Sequence, residues 1–250
     1  LVDASRGCPM RCVFCEGPAT KPFFRHKTPK RVADEIEFLV KRYGAEHIMF
    51  TDSFLNFDRG FLLELTKEII ERGLKIKWSS FMKPSGIDEE LAKMLKKSGC
   101  VNLRLGVESG SDKVLKDMEK GFNIKSAERT LKALHEAEID STVFIITGFP
   151  TERIVDVLRT AFFLLKCRKY IHRVQTFKFR LLKKAPLFFN WKKYGIKEVR
   201  VPKIYDIDVI RELLDHPMEF TLKRRWRLNP SLLGKAMALY TALLGLFVRW

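Results

Sequence analysis

Three of the five cysteines fall within eight residues, in the run Ser5-Arg6-Gly7-Cys8-Pro9-Met10-Arg11-Cys12-Val13-Phe14-Cys15. Thiolates are soft ligands that suit iron–sulfur clusters and zinc. A plain electron-transfer [4Fe-4S] cluster and a structural zinc each close with four protein ligands. Three thiolates on one loop, Cys8, Cys12 and Cys15, instead leave one iron of a four-iron cube open, a place to bind and reduce a small molecule. Cys100 and Cys167 stand alone: Cys100 reads as a small buried side chain, Cys167 falls in a helix far from the loop, and neither counts as a ligand. The alternative chemistry is a non-catalytic module, a zinc knuckle completed by His26. An odd count with tight spacing argues against a disulfide framework and for metal ligation in a reducing compartment, hence the cytoplasm.

The elements around this loop alternate. Thr28-Pro29 is a cap followed by proline at the first helical position. Val32, Ile36, Leu39, Val40 and Tyr43 then recur at helical spacing until Gly44. Strands are expected over 47–50, 75–80, 101–107, 141–146 and 174–179, with helices between them, and a first strand at Leu1-Val2. Strand and helix repeated about six times with short loops predict an α/β fold, a partial (β/α)6 TIM-like barrel of parallel strands, over residues 1–182. A mostly helical extension of loop and helix is expected over 183–250. In such barrels the chemistry sits at the carboxyl ends of the strands. The cysteine loop, Asp52, Lys83, Glu108 and Thr147-Gly148 all fall at strand ends.

The cysteine run resembles the signature of the radical S-adenosylmethionine (SAM) superfamily, and the resemblance extends over about residues 1–180. It implies that the open iron is chelated by the amino and carboxylate groups of SAM. An electron from the cluster then cleaves a carbon–sulfur bond, giving methionine and a 5'-deoxyadenosyl radical that abstracts hydrogen from substrate. It also implies an electron donor of the flavodoxin or ferredoxin type. Phe14 occupies the aromatic position placed against adenine. Met49-Phe50-Thr51-Asp52-Ser53-Phe54 is similar to the second-strand segment facing the SAM amino group, with Ser53 in place of a second acid. Leu105-Gly106-Val107-Glu108-Ser109-Gly110-Ser111 resembles the fourth-strand motif, with Glu108 reaching the ribose or methionine part and Ser109 adding a hydroxyl. Lys83 and Lys120 are candidates for the SAM carboxylate. Phe144 to Glu152 resembles the segment flanking adenine, through Ile146 and Gly148, although a glycine usual before the Thr-Glu pair is missing.

Thr28-Pro29, Lys120-Gly121, Lys184-Ala185-Pro186-Leu187 and Tyr194-Gly195-Ile196 resemble the branch of this family whose members carry a cobalamin-binding domain before the barrel. The chain begins at Leu1, within a strand, which fits a longer protein with that domain upstream. The resemblance implies cobalamin-dependent methylation or rearrangement of a substrate the barrel does not specify. The runner-up is a tRNA methylthiotransferase-like enzyme. Residues 151–250 carry 22 Lys/Arg against 8 Asp/Glu, whereas residues 1–150 carry 25 against 22. The charge suits an acidic partner, RNA or an anionic membrane, or simply a solvated face. Ala236 to Val248 is uncharged and too short for a span of about 20 residues. A buried helix or a peripheral membrane helix both fit residues 231–250.

Overall fold

The computed structural model describes residues 1–20, 23–200 and 219–222. The chain enters with a two-residue strand β1 (Ser5–Arg6), a short helix α1 (Gly17–Thr20) and β2 (Arg25–His26). The βα repeats follow: α2 (Pro29–Tyr43), β3 (His47–Met49), α3 (Arg59–Glu71), β4 (Lys77–Met82), α4 (Glu89–Lys97), β5 (Cys100–Glu108), α5 (Asp112–Asp117), α6 (Ile124–Glu136), β6 (Asp140–Thr147), α7 (Ile154–Cys167) and β7 (Arg173–Lys178). Beyond them lie α8 (Pro186–Phe189), β8 (Ile196–Arg200) and β9 (Glu219–Leu222).

Local chemistry explains where the helices begin. The Thr28 hydroxyl accepts from the Arg31 amide, with Pro29 in the first turn, and Gly44 closes α2 in the left-handed region. Asp58, Asp88 and Asn123 cap α3, α4 and α6 by accepting from the amides of Phe61, Leu91 and Ser126. Such caps satisfy amide donors that the helix cannot.

Strands β3 to β7 form one parallel sheet in sequence order. The sixth place of the expected barrel is reduced to a single parallel bridge, Val2 with Phe50. There the Val2 amide donates to the Met49 carbonyl and the Thr51 amide to that of Val2. On β5 the buried Leu103, Leu105 and Val107 alternate with the half-buried Asn102, Arg104, Gly106 and Glu108. The first set joins the apolar core under the helices, with Ile36, Leu65, Leu95, Leu131 and Val143. The second set faces the concave side of the curled sheet. This two-sided division is what a half-barrel requires: a sealed outer layer and an accessible lumen.

Two features depart from the sequence expectation. β1 and β2 pair antiparallel, Ser5 with His26 and Arg6 with Arg25, and bracket the cysteine loop. The described part of the 183–250 extension contains an antiparallel pair, β8 with β9, beside the short α8. Residues 201–218 of the expected helical extension and the apolar stretch 231–250 lie outside the described residues.

Candidate active site

The cysteine loop follows the edge bridge, at the carboxyl end of the sheet. Asp52 is 3% exposed, and its carboxylate accepts from the Ala4 amide at 3.0 Å, the Ser5 amide at 2.6 Å and the Ser5 hydroxyl at 2.5 Å. Both its oxygens are therefore committed to the entry of the loop. In the structure Asp52 fixes the entry of that loop. Ser53 donates to the Gly7 carbonyl and lies against the Cys8 thiol.

Cys15 lies close enough to bear on the ionisation of Cys8, and Cys8 and Cys15 on that of Cys12. Burial pushes the Cys8 and Cys12 thiols up. The Gly17 amide donates to Cys15 Sγ at 3.3 Å, and a Cβ on Gly17 would lie 3.3 Å from that sulfur and 3.9 Å from Cys8 Cβ. The missing side chain thus leaves room beside two ligand positions. Among the described residues no three His, Cys, Asp or Glu side chains converge as ligands of one metal ion. His26 is held elsewhere, ring against Phe57 and Phe61 at 5.2 and 5.5 Å, which removes it from the zinc knuckle. Cys100 is fully buried and Cys167 sits on the buried face of α7. The donor set is three thiols on one loop with no fourth, and it fits a [4Fe-4S] cube with one iron left open.

Facing this loop are Glu108 and Lys120, their charged atoms 3.3 Å apart and each side chain only 12% exposed. Glu108 has φ of 69°, a left-handed conformation that costs a non-glycine residue on the order of 1 kcal/mol. The sheet register shifts between Gly106 and Glu108. Together these swing the carboxylate back over Gly106, where a Cβ would meet Glu108 Oε1 at 2.7 Å. Burial raises the Glu108 carboxyl, with Lys120 pulling it back down. The Lys120 ammonium lies 5.7 Å from the ring centroids of Phe14 and Phe122 and bears electrostatically on Cys12. Lys83 is nearby, held low by burial and by the Lys120 charge. The thiols, Phe14, Glu108, Lys83 and Lys120 therefore form one constellation.

Ile146 and Gly148 lie at the carboxyl end of β6. Ile146 is half-buried and, like Phe14, packs against the second apolar cluster. The Gly148 amide donates to Glu152 at 2.7 Å, and a Cβ there would meet nothing within 4 Å. Burial pushes the Glu152 carboxyl up to about 7. Ser109 is not brought to the constellation. It is fully buried, its hydroxyl 3.4 Å from that of Thr160 on α7 and accepting from the Ser111 amide.

Two segments act as supports, a role the motifs did not show. Asn56 braces the exit of β4, donating to the Lys83 and Ser85 carbonyls and accepting from the Lys83 amide. Helix α8 braces the cysteine loop: the Leu187 amide donates to the Val13 carbonyl at 2.8 Å, and the Lys184 amide to Glu16. Leu187, Tyr194 and Ile196 pack with Val13, Met118, Phe149 and Phe179 beneath it.

A family model for the radical SAM superfamily matches residues 2–164. The chain belongs to the radical SAM superfamily, whose enzymes use a [4Fe-4S] cluster and SAM. It is 26% identical over 225 residues to an uncharacterized methyltransferase of Pyrococcus horikoshii, a match covering 86% of this chain and 49% of that protein. It is 32% identical over 156 residues to the anaerobic magnesium-protoporphyrin IX monomethyl ester cyclase of Cereibacter sphaeroides, covering 61% and 26%. Its fold is similar to that of TsrM, a radical SAM methyltransferase of Kitasatospora setae solved with cobalamin and a [4Fe-4S] cluster bound. That match has a TM-score of 0.70 at 22% identity, covering 78% of this chain and 38% of that one. The chain spans between about a quarter and a half of the length of these proteins.

Proposed function

We propose that this chain is the catalytic core of a cobalamin-dependent radical SAM enzyme, cleaving SAM reductively and directing the product toward methylation or rearrangement of a substrate. The observation that carries the reading is the set of three thiols on one loop with the buried Glu108–Lys120 pair facing it. When bound, the cluster supplies the electron that breaks the carbon–sulfur bond of SAM. The chain's own residues do the rest. Cys8, Cys12 and Cys15 would hold the cluster, and its one iron without a thiolate would be open to SAM. Glu108 accepts from hydroxyl or ammonium donors of SAM, and Lys120 or Lys83 pairs with its carboxylate. Phe14, Ile146 and the open edge at Gly148 flank the adenine. Asp52 and α8 hold the loop still, so that little geometry has to be found at the moment of reaction.

The cobalamin would come with a domain preceding the barrel, as resemblance to that branch implies, and an electron donor of the flavodoxin or ferredoxin type is the required partner. The reducing cytoplasm suits both the thiols and such a donor. Among the described residues no helix is long and apolar enough to cross a membrane. A second reading, a tRNA methylthiotransferase-like enzyme, is favoured by the basic balance of residues 151–250 and would direct that surface to RNA. Anaerobic reconstitution followed by product analysis tests the proposal. The cobalamin reading expects methyl transfer or rearrangement that depends on added cobalamin. Methylthiolation of tRNA without cobalamin would favour the second reading.

A further inference from the structure

The lumen of the half-barrel carries one arginine whose charge has no carboxylate partner among the described residues. Arg104 lies on the concave face of β5, four residues and about 13 Å along the strand from Glu108. It is half-buried. Its Nη1 is 3.7 Å from Met49 Sδ, a weak acceptor, and its Cζ is 5.3 Å from the centroid of the Phe81 ring. The carboxylates of the same face are committed elsewhere, Glu108 to Lys120 and Asp140 to His172, each at 3.3 Å. Arg72, by contrast, meets Asp34, Glu37 and Glu68 on the outer layer. A guanidinium drawn partly out of water without an anion is held at a cost, and the fork of donors it presents matches a carboxylate.

The walls beside it are aromatic. Phe81 on β4 stands 5.8 Å from Phe144 on β6, and Phe144 stands 5.7 Å from Phe177 on β7. The three rings form a row across the lumen, and Phe177 is 51% exposed. Rings arranged in this way accept a flat conjugated partner by stacking or edge contact. Arg104 sits at one end of that row.

We infer that the lumen binds a planar, conjugated substrate bearing a carboxylate, with Arg104 holding the carboxylate and Phe81, Phe144 and Phe177 holding the ring system. The inference rests on the proposed function for the position of the reacting end, because a molecule anchored at Arg104 and lying along the strands extends toward the SAM site. Glu108 and Arg104 then divide the lumen between them, SAM above and the acid end of the substrate below.

The test uses the full chain, reconstituted anaerobically, with three probes in equilibrium dialysis: 2-naphthoate, the uncharged 2-naphthalenemethanol and 2-naphthyl phosphate. The protein should hold 2-naphthoate about tenfold more tightly than the alcohol, the difference expected of one charge-assisted pair. Arg104→Gln should abolish that preference and leave the alcohol unchanged, Arg104→Lys should retain part of it, and Phe144→Ala should weaken both. Iron content and SAM affinity measured on the same samples separate this from the function itself, since an Arg104→Gln protein with normal values for both isolates the lumen. A wild-type protein that fails to assemble the cluster yet keeps the Arg104-dependent preference would overturn the function and leave the lumen assignment standing. Equal affinity for naphthoate and alcohol, naphthoate binding unaltered by Arg104→Gln, or tighter binding of the phosphate would overturn the substrate class.

Discussion

At the scale of single residues, Glu108 and Glu152 show how burial converts acids into devices. Glu108→Gln keeps the shape of the side chain but removes its charge. It should weaken SAM binding by about 1–3 kcal/mol by calorimetry while the cluster remains. Gly106→Ala should mimic it from next door, because the added Cβ displaces the Glu108 carboxylate. Glu152 makes a different prediction. Its carboxyl is pushed up to about 7 in the folded chain, from 4.5 when unfolded, so the folded state holds the proton more tightly. The resulting stability is fully present below about pH 4.5 and is lost as pH rises through about 7. The loss is on the order of 3 kcal/mol. Urea unfolding of cluster-free protein at pH 5 and pH 8 should show this decline relative to Glu152→Gln, and parallel pH dependence of the two proteins would refute it. The cysteines were legible from the sequence because their spacing is local. The pairing of Glu108 with Lys120, and the commitment of Asp52 to Ala4 and Ser5, were not, because Lys120 is 12 residues from Glu108, and Ala4 and Ser5 are 48 and 47 residues from Asp52, and only folding selects them.

At the scale of elements, the cysteine loop is held from both sides. Asp52→Ala would leave two amides and a hydroxyl of the buried entry without their acceptor, at about 1–3 kcal/mol for each group that finds no water. Iron retention after gel filtration should fall, even though Asp52 binds no iron. Leu187→Ala removes a fully buried side chain from beneath the loop, and a cost of about 2–5 kcal/mol is expected by thermal or urea unfolding. If both variants hold iron like the wild type, the bracing account of these elements is wrong. The alternation of helix and strand was readable because each βα unit carries its own period and caps. The β1–β2 ribbon escaped because each strand has only two residues and β2 is exposed on both sides, so no period can develop. A short helix in the extension was expected and α8 supplies it; its bracing of the loop was not legible, because its four residues gain their place from contact with Val13, far away in the chain.

At the scale of the whole molecule, the sheet separates two environments. Its outer face is sealed by helices over a continuous apolar core, and its inner face keeps polar and aromatic groups half-exposed along the lumen. The thiols sit at one mouth of that lumen, where β5 and β6 end. Cys100 lies at the start of β5, the opposite end of the strand. This placement gives the three-ligand reading a direct consequence: Cys8→Ala, Cys12→Ala and Cys15→Ala should each destroy or damage the cluster, while Cys100→Ala and Cys167→Ala should retain it. The central claim is the open iron, and electron paramagnetic resonance of the dithionite-reduced, reconstituted protein tests it most directly. Addition of SAM should change the cluster spectrum of the wild type and of Cys100→Ala, because SAM takes the vacant coordination position. A spectrum indifferent to SAM, or a cluster lost with Cys100→Ala as completely as with Cys12→Ala, would contradict the account.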